Sequence, residues 1–264
     1  MRATASAECE HSGVQNNLLT ICGLSTVRAL AAAAPERIER LFFDETNAPR
    51  FAEVCRYLSQ KRKIYRLVTP AELKKITDTS HHQGVAAVIH APEPLRLEGL
   101  ELSHSTLCLH DVKNPHNVGA ILRTTAFFGV RDVIFSRKSY DAAMTASAWR
   151  VAEGGVSLTH CYVYEDAHDL FSRAKMLGWW CAAAVRPEKG RLPSLESICV
   201  RAGRAHVVAC LGNEEEGLPG AFVAGCGYKF TILGSGSVES LNVSVTAALC
   251  LEKMSRNYSG LRPE

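Results

Sequence analysis

Three short polar clusters in this chain carry residue types that hold and orient a small ligand. The last is Ser240-Leu241-Asn242-Val243-Ser244, which opens an apolar run of helical character through Ala247, Ala248, Leu249, Cys250 and Leu251. Serine and asparagine at a helix start supply side-chain acceptors and leave backbone N–H groups to hold a ligand. Gly234-Ser235-Gly236 precedes it; Gly-x-Gly without a third glycine is a weak dinucleotide signal, and a flexible turn plus a helix cap explains the same residues. The second cluster is Leu211-Gly212-Asn213-Glu214-Glu215-Glu216-Gly217-Leu218, where glycines at a strand exit permit close backbone approach to a ligand. Its three glutamates disfavour a polyphosphate and suit a neutral or cationic ligand; a solvated acidic turn fits it equally well. The first cluster, Asn114-Pro115-His116-Asn117-Val118-Gly119-Ala120-Ile121-Leu122-Arg123, reads as a strand exit entering a helix. Asn117 is a candidate cap, and Arg123 is expected two turns in, near the face of His116 and Asn117. A capped helix with a surface arginine is the plainer alternative.

These clusters need strands to deliver them. In the C-terminal part, strands are expected at 106–110, 133–135, 159–163, 179–185, 205–211 and 228–233, with helices at 117–128, 142–151, 167–177 and 240–256. Strands alternating with helices imply a mostly parallel sheet covered on both faces. Upstream, helices at 25–34, 50–60 and 71–76 and strands at 38–43, 64–68 and 85–90 form a small α/β module over 14–90. Residues 1–13 read as a disordered leader. Ala91-Pro92-Glu93-Pro94 is a stiff break opening a linker that runs to 103, and the second domain occupies 104–264.

Composition restricts the classes open to the chain. Its 264 residues are 47% hydrophobic and 22% charged, an ordinary globular balance. No apolar run reaches membrane-spanning length, and the first residues lack the apolar core of a secretory signal. A net charge of +3 permits a nucleic-acid partner without requiring one. The ten cysteines include no C-x-x-C pair, so buried reduced thiols in a cytoplasmic protein are expected rather than zinc or disulfides. Lys61, Arg62, Lys63, Arg66, Lys74 and Lys75 are candidates for phosphate contacts or simply solvated surface.

The order Asn-x-Gly-x-x-x-Arg, then Gly-x-Glu-x-x-Gly-Leu, then Gly-x-Val-x-Ser-Leu-Asn-Val-Ser resembles the three signature motifs of the SpoU/TrmH family of RNA ribose 2'-O-methyltransferases, over about 104–258. His81-His82-Gln83-Gly84-Val85 resembles the end of that family's substrate-binding domain, a ribosomal-protein-like RNA-binding α/β module. The resemblance implies an α/β fold with a deep trefoil knot at its C-terminal end, and a homodimer formed through that domain. It implies S-adenosylmethionine as cofactor, structured RNA (tRNA or rRNA) as substrate, and neither a metal nor a membrane. Gly212, Gly217, Ile232 and Leu241 then match cofactor-binding positions. Asn117, Arg123, Glu214, Ser240 and Asn242 match polar active-site positions, with Arg123 the residue given the task of activating the ribose hydroxyl.

The chain departs from the family pattern at Glu215, where glycine is usual, at Leu233-Gly234, where Pro-Met is usual, and over 147–155, usually smaller and richer in Ser and Ala. The first two border the expected pocket and motivate a second reading, a non-catalytic RNA-binding protein retaining the fold. A third, a Rossmann-type enzyme on a small substrate, lacks a glycine-rich turn after the first strand.

Overall fold

The computed structural model describes residues 18–187 and 192–255. The expected leader at 1–13 and Arg256, the last residue of the expected closing helix, lie outside them.

The N-terminal module runs β1 (Leu18–Cys22), α1 (Leu24–Ala33), β2 (Ile38–Phe43), α2 (Ala52–Gln60), β3 (Ile64–Leu67), α3 (Pro70–Thr77) and β4 (Val85–His90). Its sheet has the order β1-β4-β2-β3, antiparallel except for the β2/β3 pair. The first strand has no counterpart in the sequence reading: Leu18-Leu19-Thr20-Ile21-Cys22 is a short apolar run without period-2 alternation, and its pairing with β4 makes it a strand. The His82-Gln83-Gly84 turn is a structural joint. His82 Nδ1 accepts from Gly84 N at 3.0 Å, Gln83 Oε1 accepts from Leu24 N at 2.8 Å, and Gln83 O accepts from Asn47 Nδ2 at 3.2 Å.

The second sheet is entirely parallel. It comprises β5 (Leu95–Arg96), β6 (Thr106–Leu109), β7 (Asp132–Ser136), β8 (His160–Tyr164), β9 (Trp180–Ala184), β10 (Val207–Leu211) and β11 (Tyr228–Phe230), in the order β11-β9-β10-β6-β7-β8-β5. Its helices are α4 (Pro115–Phe127), α5 (Arg137–Ala143), α6 (Ala146–Ala152), α7 (Ala167–Leu177), α8 (Leu195–Ala202), α9 (Gly220–Gly225) and α10 (Val243–Ser255). Part of the expected linker therefore joins the sheet: β5 pairs with β8, Leu97, Leu100 and Leu102 are buried, and Tyr140 Oη donates to Pro92 O. The single helix expected over 142–151 is two. Ser136 caps α5, and Thr145 Oγ1 accepts from Ala148 N to start α6 afresh. Helices α8 and α9 were not expected.

One apolar core runs through both modules, from Ile21, Leu30 and Ile89 to Leu107, Ile121 and Trp149. Where the modules meet, Thr26 Oγ1 donates to Trp149 O at 3.1 Å, and Arg150 Nη1 donates to Thr79 Oγ1 at 3.4 Å. Thr26→Val keeps the side-chain shape and removes that buried hydrogen bond; urea unfolding is expected to show a loss of about 1 kcal/mol. The nine described cysteines are free, eight of them buried, and burial pushes the thiols of Cys161 and Cys250 up to about 12. Thiols so held are packing groups rather than nucleophiles. No helix among the described residues is long and apolar enough to cross a membrane.

Candidate active site

From β6 the chain builds outward through β7 and β8, then returns to place β10 and β9 on the other side. The carboxyl ends of β6 and β10 therefore flank a switch point, where connecting loops diverge and open a crevice. Asn117 arrives in the first turn of α4, just after β6, and Glu214 in the loop after β10. Asn117 Nδ2 donates to Glu214 Oε1 at 2.7 Å across this crevice.

The third loop joins them. Asn242 caps α10, its Oδ1 accepting from Ser244 N at 2.8 Å and from Ser244 Oγ at 2.6 Å. The expected helix start at 240 thus moves to Val243, leaving Ser240 and Leu241 in the loop. The remaining polar atom of Asn242 is Nδ2, which donates to Asn117 Oδ1 at 3.1 Å. Asn117 is therefore fixed on both sides of its amide, as donor to a carboxylate and acceptor from a second amide. Asn117 thus joins two segments that lie 97 and 125 residues further along the chain.

Beside this network lies a cavity of about 140 Å³. Its walls include Gly212, Glu214, Gly217, Ile232, Ser240 and Leu241, six of the nine residues singled out from the sequence. Arg186 and Glu239 also line it, and neither was expected. Arg186 comes from the exit of β9, where the sequence reading named no site residue; its Nη2 donates to Glu215 O at 3.1 Å. Of the residues that depart from the family pattern, Glu215, Leu233 and Gly234 are exposed and none lines the cavity. The 212–218 loop is folded on itself: Gly217 N donates to Asn213 O at 2.9 Å, and Asn213 Oδ1 accepts from Glu215 N at 2.8 Å. Asn213 Nδ2 also reaches back to Asp111 O at 3.0 Å, stitching the loop to the exit of β6.

Arg123 stands apart from this group. It lies seven residues past His116 but six past Asn117, about 120° round the helix from the latter at 100° per residue. Its Nη1 donates to Glu153 Oε1 at 3.0 Å, and it is absent from the cavity wall. The expectation that Arg123 shares a face with Asn117 is corrected accordingly. Among the described residues no group of three or more His, Cys, Asp or Glu side chains is placed to hold a metal ion.

His110, one residue past β6, packs at 4.3 Å from the Phe222 ring, and its Nδ1 lies 2.7 Å from Tyr164 Oη. Burial holds its imidazole below the ordinary histidine pKa. The folded state thus resists a proton that the unfolded chain accepts. Stability is expected to be full above about pH 6.5 and to fall as pH drops below it. Thermal melts of His110→Gln between pH 7.5 and 5.5 should show a shallower decline than wild type.

Fold and site together define a parallel α/β protein with a polar cleft at the carboxyl ends of its strands and a smaller α/β module packed beside it. The chain belongs to the SpoU rRNA Methylase family, whose model matches residues 104–252; a model for RNA 2'-O ribose methyltransferase substrate binding matches 20–95. It is 30% identical to the 23S rRNA (guanosine-2'-O-)-methyltransferase RlmB of Nitrosomonas europaea over 90% of this chain and 92% of that one. It is 31% identical to the uncharacterized tRNA/rRNA methyltransferase YfiF of Escherichia coli O157:H7, over 88% of this chain but only 66% of the relative's length. An AdoMet-bound rRNA methyltransferase from Sinorhizobium meliloti shares the fold, with a TM-score of 0.77 at 19% identity over 92% of this chain and 88% of that one.

Proposed function

We propose that this chain transfers a methyl group from S-adenosylmethionine to a ribose 2'-hydroxyl of tRNA or rRNA, and that it does so as a cytoplasmic enzyme. The observation that carries the reading is the convergence of Asn117, Glu214 and Asn242 on one hydrogen-bonded network beside a cleft walled by Gly212, Ile232 and Leu241. It is supported by the RNA methyltransferase named among the relatives that match along nearly their whole length.

The cleft suits the cofactor chemically. Leu211, Ile232, Leu241 and Val243 supply an apolar lining for a flat base, and the adjoining backbone supplies polar groups. Two carboxylates, Glu214 and Glu239, line it against one guanidinium, Arg186, a balance that favours a cationic ligand. S-adenosylmethionine supplies an electrophilic methyl group on a sulfonium centre. Asn117, Glu214, Ser240 and Asn242 orient the attacking sugar, and alignment of this kind contributes up to about 7–11 kcal/mol. An arginine guanidinium already carries its proton at physiological pH and has no acceptor site for another, so Arg123 is not the base. Its task is to hold the neighbouring phosphate and stabilise negative charge developing on the 2'-oxygen, with the proton leaving through phosphate or water.

Exposed Val245 and Leu249 on α10 and Phe127 on α4 support a homodimer through the C-terminal domain. The loops after β9, β10 and β11 share the one cleft, in keeping with a deep trefoil knot there. Of the six basic candidates named in the N-terminal module, Lys63 is committed within the chain, to Glu36 O at 2.6 Å and Glu39 Oε1 at 2.7 Å. Lys61, Arg62, Arg66, Lys74 and Lys75 are exposed and serve as the phosphate contacts.

The test is incubation of the chain with methyl-labelled S-adenosylmethionine and total tRNA or rRNA, followed by mass mapping of 2'-O-methyl nucleotides. A new 2'-O-methyl site is expected. No detectable cofactor binding by calorimetry, with no transfer to any RNA, would leave the RNA-binding reading in its place.

A further inference from the structure

We propose that Glu153 is a positioning residue for Arg123, and that the loop carrying it couples the arginine's orientation to the docking of the N-terminal module. The inference rests on the methyl-transfer reading above. Glu153 Oε1 sits 3.0 Å from Arg123 Nη1, with the two side chains 46% and 57% exposed. An ion pair this open contributes little to stability, so stability does not account for how firmly its loop is built.

The loop is wedged between two elements. Glu153 ends α6 in the left-handed region, at φ 46°, and Gly154 follows at φ 98°. A Cβ on Gly155 would fall 2.6 Å from Leu122 O and 2.9 Å from Arg123 N, so the chain runs directly against the backbone of α4 at the arginine. A Cβ on Gly154 would come within 2.6 Å of Ala29 Cβ, on α1 of the N-terminal module. One turn earlier, Trp149 O and Arg150 are tied to Thr26 and Thr79 of the same module. The carboxylate is thus delivered to Arg123 by a segment held from both domains.

Arginine presents five donors in a rigid plane at the end of a flexible stem. Glu153 engages Nη1, which fixes the plane and leaves the other edge of the fork for a phosphate oxygen and the developing alkoxide. The guanidinium is organised before RNA arrives, and seating of the N-terminal module is the condition for it.

Steady-state methyl transfer by the full chain tests this. Glu153→Ala is expected to lower kcat about tenfold through loss of alignment, with the KM for RNA unchanged or lower because an anion has been removed. Glu153→Gln, whose Oε1 accepts the same Nη1–H, is expected to stay within about threefold of wild type. Ala29→Leu, remote from the cleft, presses on Gly154 and should lower kcat in the same direction; the overpacking also lowers the melting temperature, so rates are compared well below it. An unchanged or raised kcat in Glu153→Ala, or a rise in KM alone, overturns the positioning role. Equal losses in the Ala and Gln variants also overturn it, because they assign the charge itself to proton acceptance. No effect in Ala29→Leu overturns the coupling. An inactive wild-type chain sinks the transfer reading as a whole, whereas an active wild type with an indifferent Glu153→Ala sinks this inference alone.

Discussion

Arg123→Lys is expected to slow methyl transfer by at least about 100-fold, equivalent to about 2.7 kcal/mol of transition-state stabilisation. The substitution keeps the charge, and a lysine ammonium can still pair with Glu153. What it removes is the planar fork. One arginine can be held at Nη1 by Glu153 and still present parallel donors to a phosphate and an alkoxide; an ammonium is a single point charge with no second edge. The effect should fall on single-turnover rate, with cofactor affinity and melting temperature unchanged, since the side chain is exposed and lies off the cavity wall. Near-normal turnover in Arg123→Lys would reassign the activation of the hydroxyl to the Asn117–Glu214–Asn242 network.

Gly212→Ala is expected to weaken S-adenosylmethionine binding by at least about 100-fold in calorimetry. The new Cβ would lie 2.2 Å from the carbonyl carbon of Gly217, 2.4 Å from its oxygen and 2.4 Å from Leu218 N. All three are backbone atoms, so no rotamer change relieves the contact. The loop must open, and it is the same loop that carries Glu214 and forms one wall of the cleft. Some loss of stability accompanies the strain, about 1–3 kcal/mol for an overpacked site, so binding should be measured well below the melting temperature. Wild-type affinity in this variant would exclude the 212–218 turn from the cofactor site.

Legibility in the sequence followed the range of the interactions involved. Segments with local signatures were readable: the strand–loop–helix exit at 106–128, the strand and loop at 205–220, and the residues of the three clusters. Asn242 was readable as a polar residue at a helix start because capping is a local bond to Ser244 two residues on. Elements held only by partners were not readable. Leu18–Cys22 is a strand because β4 pairs with it, and Leu95–Arg96, inside a proline-rich stretch, because β8 does. The break between α5 and α6 had a local signal in Thr145, but an alanine-rich segment masked it.

By itself, the sequence determined a parallel α/β architecture, three ligand-type loops and the residues on them, since periodicity, turn chemistry and capping are written within a few residues of one another. Only the tertiary structure decided that Asn117 binds both Glu214 and Asn242, that Arg123 turns away from them to Glu153, and that Arg186 and Glu239 join the cleft wall. The reason is geometric. Which loops face one another depends on the order in which strands enter the sheet, and which side of a helix a residue faces turns on a single position in the count, so both are set by packing over the whole chain.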